Sequence, residues 1–144
     1  MVNYTHKKRS FQTEIVMTKI IAVLSGKGGV GKSSCSIGIG TALSALKKRV
    51  LLIDMDEGMR CLDMLLGLSE NLLFDVSDVL LGRELSSCIM TPKKRPNLSL
   101  LAAPNQKGIV NYEEFGAFLS SDRLEEFDFV IIDLPAGVHP EIYK

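Results

Sequence analysis

Tryptophan is absent, cysteine occurs three times, and acidic and basic side chains cancel. Each shortage removes a class of explanation. Cys35, Cys61 and Cys88 are far apart, odd in number and never in a CxxC pair. A disulfide framework or cysteine metal site is therefore not expected, and a reducing cytoplasm fits this usage. Lys plus Arg and Asp plus Glu both total 17, so no overall field points to a nucleic acid or a membrane. The short basic clusters Lys7-Lys8-Arg9 and Lys93-Lys94-Arg95 read as solvated surface, and no nucleic-acid partner is expected. Near the N-terminus the only apolar run is Ile15-Val16-Met17, too short for the core of a secretory signal. His6 and His139 lack the spacing of metal ligands. What is present, 144 residues that are 46% hydrophobic and 24% charged, suits one globular domain.

The apolar pattern starts directly after Met17. Residues 1–16 therefore read as a disordered basic arm or as an extension from a mis-assigned start, with 17–144 the folded unit. Residues 19–25 form a nearly unbroken apolar run, as expected of a strand buried on both faces. After the glycines of 26–31, Cys35, Ile39, Ala42 and Leu46 recur at helical spacing over 32–48, which closes on the basic Lys47-Lys48-Arg49. Val50 to Ile53 is a second buried strand, ended by Asp54. Strand, loop, helix and strand make a βαβ unit and hence an α/β fold with a parallel sheet.

Short helices are expected over 62–67, 75–81 and 84–90, with a loop around Pro92 and Pro96 and a strand over 98–102. Tyr112, Phe115 and Leu119 mark a helix running to about Phe127, before a last buried strand over 129–132 that ends at Asp133.

Gly26-Lys27-Gly28-Gly29-Val30-Gly31-Lys32-Ser33 satisfies the phosphate-loop pattern GxxxxGK[ST] between a strand and a helix. The glycines let consecutive N–H groups, through Ser34, curl around phosphate oxygens at the positive end of a helix. Lys32 reaches the β- and γ-phosphates, and the Ser33 hydroxyl is placed to bind Mg²⁺. Asp54 and Asp56 at one strand end and Asp133 at another are candidates for holding Mg²⁺ through water and for positioning an attacking water. Taken singly, a strand-ending Asp is as often a turn or cap residue.

Lys27, the second lysine of the loop, is not needed to cradle phosphate within one subunit. With it, the segment resembles the deviant Walker A motif of the MinD/ParA and nitrogenase iron-protein group. Asp54-Met55-Asp56-Glu57-Gly58-Met59-Arg60-Cys61-Leu62-Asp63 is similar to the D-x-D-x-G-x-R-N-L-D switch I signature of the MinD branch. Asp133-Leu134-Pro135-Ala136-Gly137 is similar to its D-x-P-A-G Walker B and switch II segment. The resemblance implies a P-loop NTPase fold and ATP with Mg²⁺ as cofactors. It also implies that Lys27 crosses to the nucleotide of a second copy, Asp56 orients the hydrolytic water, and Asp133 binds Mg²⁺ through water. In that family a nucleotide-switched homodimer works with a division inhibitor and an activator to place the septum, in the cytoplasm and peripherally at the inner face of the plasma membrane. Chromosome-partitioning and flagellar-number ATPases are the close alternatives.

Two departures bear on that expectation. Cys61 stands where the pattern has Asn, either altering an activator contact or serving as a small buried apolar residue. After Gly137 only 138–144 remain. The resemblance therefore leaves the later strands, the base-binding residues and the membrane-binding helix of the family without counterparts. The chain reads as the N-terminal half of the domain, incomplete at its C-terminus, and a non-catalytic relic is the alternative to a working switch. The redox branch is disfavoured, because no cysteine follows Cys88.

Overall fold

The computed structural model describes residues 17–137. The arm 1–16 with Lys7, Lys8, Arg9 and His6, and the tail 138–144 with His139, lie outside the described residues. The chain runs β1 (Lys19–Val23), α1 (Lys32–Ala45), β2 (Val50–Asp54), α2 (Cys61–Leu66), α3 (Val76–Leu80), α4 (Leu85–Cys88), β3 (Leu98–Leu101), α5 (Tyr112–Leu119) and β4 (Phe129–Asp133). The four strands form one sheet in the order β1-β4-β2-β3, with every ladder parallel. The last strand in sequence therefore lies inside the sheet, between the first and the second.

The two inner strands, β2 and β4, are apolar up to their closing aspartates because both faces of the sheet are covered there. Val50, Leu52, Leu98, Leu100 and Ile131 turn to one face, where they pack with Leu62 and with Ile37, Ile39 and Leu43 of α1. Leu51, Ile53, Leu101, Val130 and Ile132 turn to the other face and meet Val76, Val79, Leu85, Phe115 and Phe118 of α3, α4 and α5. Each such buried aliphatic or aromatic side chain contributes about 1.5–3 kcal/mol.

Three local expectations are corrected by packing. First, β1 is an edge strand, not one buried on both faces. Ile21 and Val23 pack toward α1, whereas Ile20 and Leu24 are 46% and 50% exposed. Second, the inward face of α1 is Ser36, Gly40 and Ser44, while Cys35, Ala42 and Leu46 are exposed. The helix lies so close to the sheet that a Cβ on Gly40 would stand 3.0 Å from Leu52 Cδ2 and 3.1 Å from Leu98 Cδ1. Only small residues at this i, i+4, i+8 stripe permit that approach. α1 also stops at Ala45, with Lys47 at φ 62°, so the basic residues lie beyond the helix. Third, α5 ends at Leu119 and does not run to Phe127. The backbone leaves the helical region at Ser120, with ψ 0°, and is extended at Ser121, with ψ 160°.

Candidate functional site

The C-terminal ends of β1, β4 and β2 lie side by side because β4 is inserted between the other two. Asp133 is in register with Val23 on one flank and with Asp54 on the other. The loop after β1, the first turn of α1 and the two strand-end aspartates are thereby gathered at one edge of the sheet. In an open α/β sheet that edge is where ligands sit.

Asp133 is fully buried and is the centre of the arrangement. Its Oδ1 lies 3.0 Å from Lys32 Nζ and accepts from Ser36 Oγ at 2.8 Å, while Oδ2 accepts from Ser33 Oγ at 2.7 Å. Ser36 stands one turn beyond both Ser33 and Lys32, at i+3 and i+4, so the three can converge on one carboxylate. The Lys32 side chain is only 7% exposed, and its ammonium, though close to Asp133, has no hydrogen bond of good geometry among the described residues.

Asp54 is also buried but is satisfied differently. Its Oδ1 accepts from the Asp56 N–H at 2.9 Å and its Oδ2 from the Leu62 N–H at 3.1 Å. Burial pushes its carboxyl up to about 6, and the neighbouring charges of Asp133 and Asp56 add to the effect of desolvation, while the two backbone N–H groups oppose it.

Above these aspartates opens a cleft of about 840 Å³. One wall is the glycine loop and helix start, with Gly28, Gly29, Gly31, Lys32, Ser33 and Ser34. The facing wall is Asp56, Glu57, Met59 and Cys61, closed at the side by Lys107, Gly108, Val110 and Tyr112, and by Pro135 and Ala136 after β4. Gly29 and Gly31 hold φ of 73° and 89°, a left-handed backbone that favours glycine.

The sequence-derived residues thus separate into three positions. Gly28, Gly29, Gly31, Lys32, Ser33, Ser34 and Asp56 line the cleft. Asp54 and Asp133 lie at the strand ends, with Asp133 bonded to the cleft residues Lys32 and Ser33. Lys27 and Val30 are exposed and do not line the cleft.

Ser36, Glu57, Lys107 and Tyr112 were not singled out by sequence. For Ser36 the signal was its i+3 spacing from Ser33. Glu57 directly follows Asp56, whereas Lys107 and Tyr112 join the cleft only through tertiary packing.

The donor set suits a nucleotide polyphosphate with Mg²⁺. A buried ammonium, a glycine-rich loop, a helix start and a Ser–Asp pair are the groups such a ligand requires. Among the described residues no group of three or more His, Cys, Asp or Glu is disposed to hold a metal. Mg²⁺ retains water and shares phosphate oxygens, so it needs no all-protein cage.

The chain is similar to known proteins along most of its length. The CobQ/CobB/MinD/ParA nucleotide binding domain matches residues 21–130. The septum site-determining protein MinD of Synechocystis sp. is 42% identical over 125 residues, covering 85% of this chain and 47% of that protein. The MinC:MinD cell division protein complex of Aquifex aeolicus superposes with a TM-score of 0.73 at 37% identity, over 85% of this chain and 49% of the other. MinD of Pyrococcus horikoshii complexed with Mg-ADP superposes with a TM-score of 0.76 at 29% identity, over 88% and 53%. The chain spans about half the length of the curated relatives it matches. Its parallel sheet with flanking helices is the P-loop NTPase fold of the MinD/ParA type. The chain therefore belongs to the CobQ/CobB/MinD/ParA nucleotide-binding domain family.

Proposed function

We propose that residues 17–144 are the phosphate-binding part of an ATP-driven spatial switch of the MinD kind. The observation that supports this most is the Asp133 cluster, which ties Lys32 and Ser33 to the strand end directly beneath the glycine loop. On this reading the backbone N–H groups of Gly28, Gly29, Gly31, Lys32, Ser33 and Ser34 hold the phosphates. Lys32 exchanges its contact with Asp133 for the β- and γ-phosphate oxygens. Ser33 would hold Mg²⁺, with Asp54 and Asp133 acting on it through water, and Asp56 orients the water that attacks. When bound, Mg²⁺ neutralises charge on the phosphates and polarises the terminal phosphoryl group.

Lys27 is exposed on the loop and free to reach a second copy of the chain, which makes the ATP-bound form a homodimer. ATP is the chosen nucleotide because the similar Pyrococcus protein is complexed with Mg-ADP. Similarity to a MinD seated in a MinC:MinD complex supports septum placement as the cellular role and a division inhibitor as one partner, with an activator as the other. The site of action is the cytoplasm and, peripherally, the inner face of the plasma membrane. Among the described residues no helix is long and apolar enough to cross a membrane.

Thermal unfolding of the 144-residue chain with and without Mg·ATP tests the reading. Ligand at roughly a hundred times its dissociation constant adds about 2.7 kcal/mol of stability. Lys32→Ala is expected to abolish that gain. Ser33→Ala, which keeps the Lys32–Asp133 pair, is expected to make it depend less on Mg²⁺. Light scattering is expected to show an ATP-dependent dimer that Lys27→Ala removes. A cooperative transition that ATP does not move would refute nucleotide binding by this chain.

A further inference from the structure

The segment after Asp56 is fastened to the loop between β3 and α5. Glu57 Oε2 accepts from the Gly108 N–H at 2.5 Å, and its Oε1 accepts from the Val110 N–H at 2.6 Å. The Gly58 N–H donates to the Pro104 carbonyl at 3.0 Å. Arg60 donates through Nη1 to Asn105 Oδ1 at 2.5 Å and through Nη2 to Asp63 Oδ2 at 3.1 Å.

Arg60 holds φ 45°, a left-handed conformation that a non-glycine residue keeps only when its surroundings fix it. The Lys107 stem also lies across Gly58, with Cγ 3.4 Å from where a Cβ on that glycine would stand. The segments 57–60 and 104–110 thus share a set of mutual contacts, and residues of both line the cleft.

Glu57 carries the most specific of these contacts. A carboxylate accepting from two backbone N–H groups makes two charge-assisted bonds, and each restrains main chain that a side-chain contact would leave free. Its own backbone is continuous with that of Asp56, so fixing Glu57 fixes the direction from which Asp56 enters the cleft. The D-x-D-x-G pattern leaves this position open, so the resemblance gives Glu57 no role.

We propose that Glu57 is a positioning residue: by gripping the amides of Gly108 and Val110 it sets Asp56 in the cleft and makes the 104–110 loop the second arm of the nucleotide switch. The proposal rests on the reading of the cleft as a nucleotide site. A ligand that displaces the Asp56 segment must carry the loop with it or break the grip, and either event changes how the two gripped amides exchange with solvent.

Amide hydrogen exchange on the 144-residue chain, with and without Mg·ATP, reads this directly. In the wild-type chain, Gly108 and Val110 are expected to change protection together with the glycine loop 28–33. In Glu57→Gln, which removes the charge and one of the two acceptors, the glycine loop is expected to respond as before while Gly108 and Val110 do not. The hydrolysis rate of that variant is expected to fall about tenfold or more at saturating ATP, with KM little changed, as befits a misplaced water-orienting group. Glu57→Asp is expected to restore part of the rate.

A wild-type glycine loop that responds while 104–110 stays silent overturns the coupling and leaves nucleotide binding intact. Silence in both segments overturns the nucleotide reading and this inference with it. Unaltered loop exchange and hydrolysis in Glu57→Gln overturns the role of Glu57. The wild-type comparison decides the coupling even if the variant does not fold.

Discussion

Asp54 and Asp133 face each other in register across the β2–β4 ladder, and both are buried, yet only Asp133 has a cation beside it among the described residues. Asp133 also takes hydrogen bonds from Ser33 and Ser36, whereas Asp54 has two backbone N–H groups. Two carboxylates of the same strand-end type are therefore held by different partners.

Because burial holds the Asp54 carboxyl at about 6 against an ordinary 3.8, the folded chain binds more protons than the unfolded chain between those values. The sign follows: this stabilisation is complete below pH 3.8 and is lost as pH rises through about 6. At about 1.4 kcal/mol per pH unit the interval is worth about 3 kcal/mol. Urea unfolding at pH 5 and pH 7.5 should show the wild type losing more stability across that span than Asp54→Asn, which cannot titrate. Equal losses would contradict the assignment.

Ser36→Ala deletes one of the donors to Asp133 without opening a cavity of any size. The buried Oδ1 is then left with Lys32 alone, at a cost of about 1–3 kcal/mol. Denaturant midpoints check the stability. If the Asp133 cluster holds Mg·ATP as proposed, the same variant also binds it more weakly.

Two glycines of α1 should respond in opposite directions. A Cβ on Gly38 meets nothing within 4 Å, so Gly38→Ala should stabilise by about 0.5–1 kcal/mol through backbone entropy. Gly40→Ala drives its methyl toward Leu52 and Leu98, both fully buried. It should destabilise by about 1 kcal/mol as overpacking outweighs propensity. Melting temperatures of the pair, taken side by side, test the close approach of α1 to the sheet.

Asp75 caps α3 through a reciprocal box. Its side chain accepts from the Ser77 N–H at 2.8 Å, and Asp78 accepts from the Asp75 N–H at 3.0 Å. Asp75→Ala should cost about 1 kcal/mol. Asp75→Asn should recover most of that loss in chemical denaturation, since the acceptor oxygen remains.

The strand ends and the phosphate loop were legible in the sequence because their signals are local. Val50 to Ile53 is an apolar run closed by Asp54, and the glycines stand immediately before Lys32 and Ser33. The face of α1 was misread for a physical reason. Helical periodicity points to Cys35, Ala42 and Leu46, which are exposed, but the helix approaches the sheet through Ser36, Gly40 and Ser44, where smallness is what matters. The end of α5 was misread because the backbone turns extended at Ser121, which an apolar count does not register.

By itself, the sequence determined the strand and helix order, the glycine loop before α1, and the presence of acids at the ends of β2 and β4. Each follows from neighbours within a few residues. Tertiary structure alone decided that β4 enters between β1 and β2, because strand order depends on which apolar faces the helices cover. That insertion places Asp133 within reach of Lys32, Ser33 and Ser36, about a hundred residues away. The grip of Glu57 on Gly108 and Val110 has the same origin, since backbone N–H groups carry no sequence signature and become a site only when the fold brings a carboxylate to them.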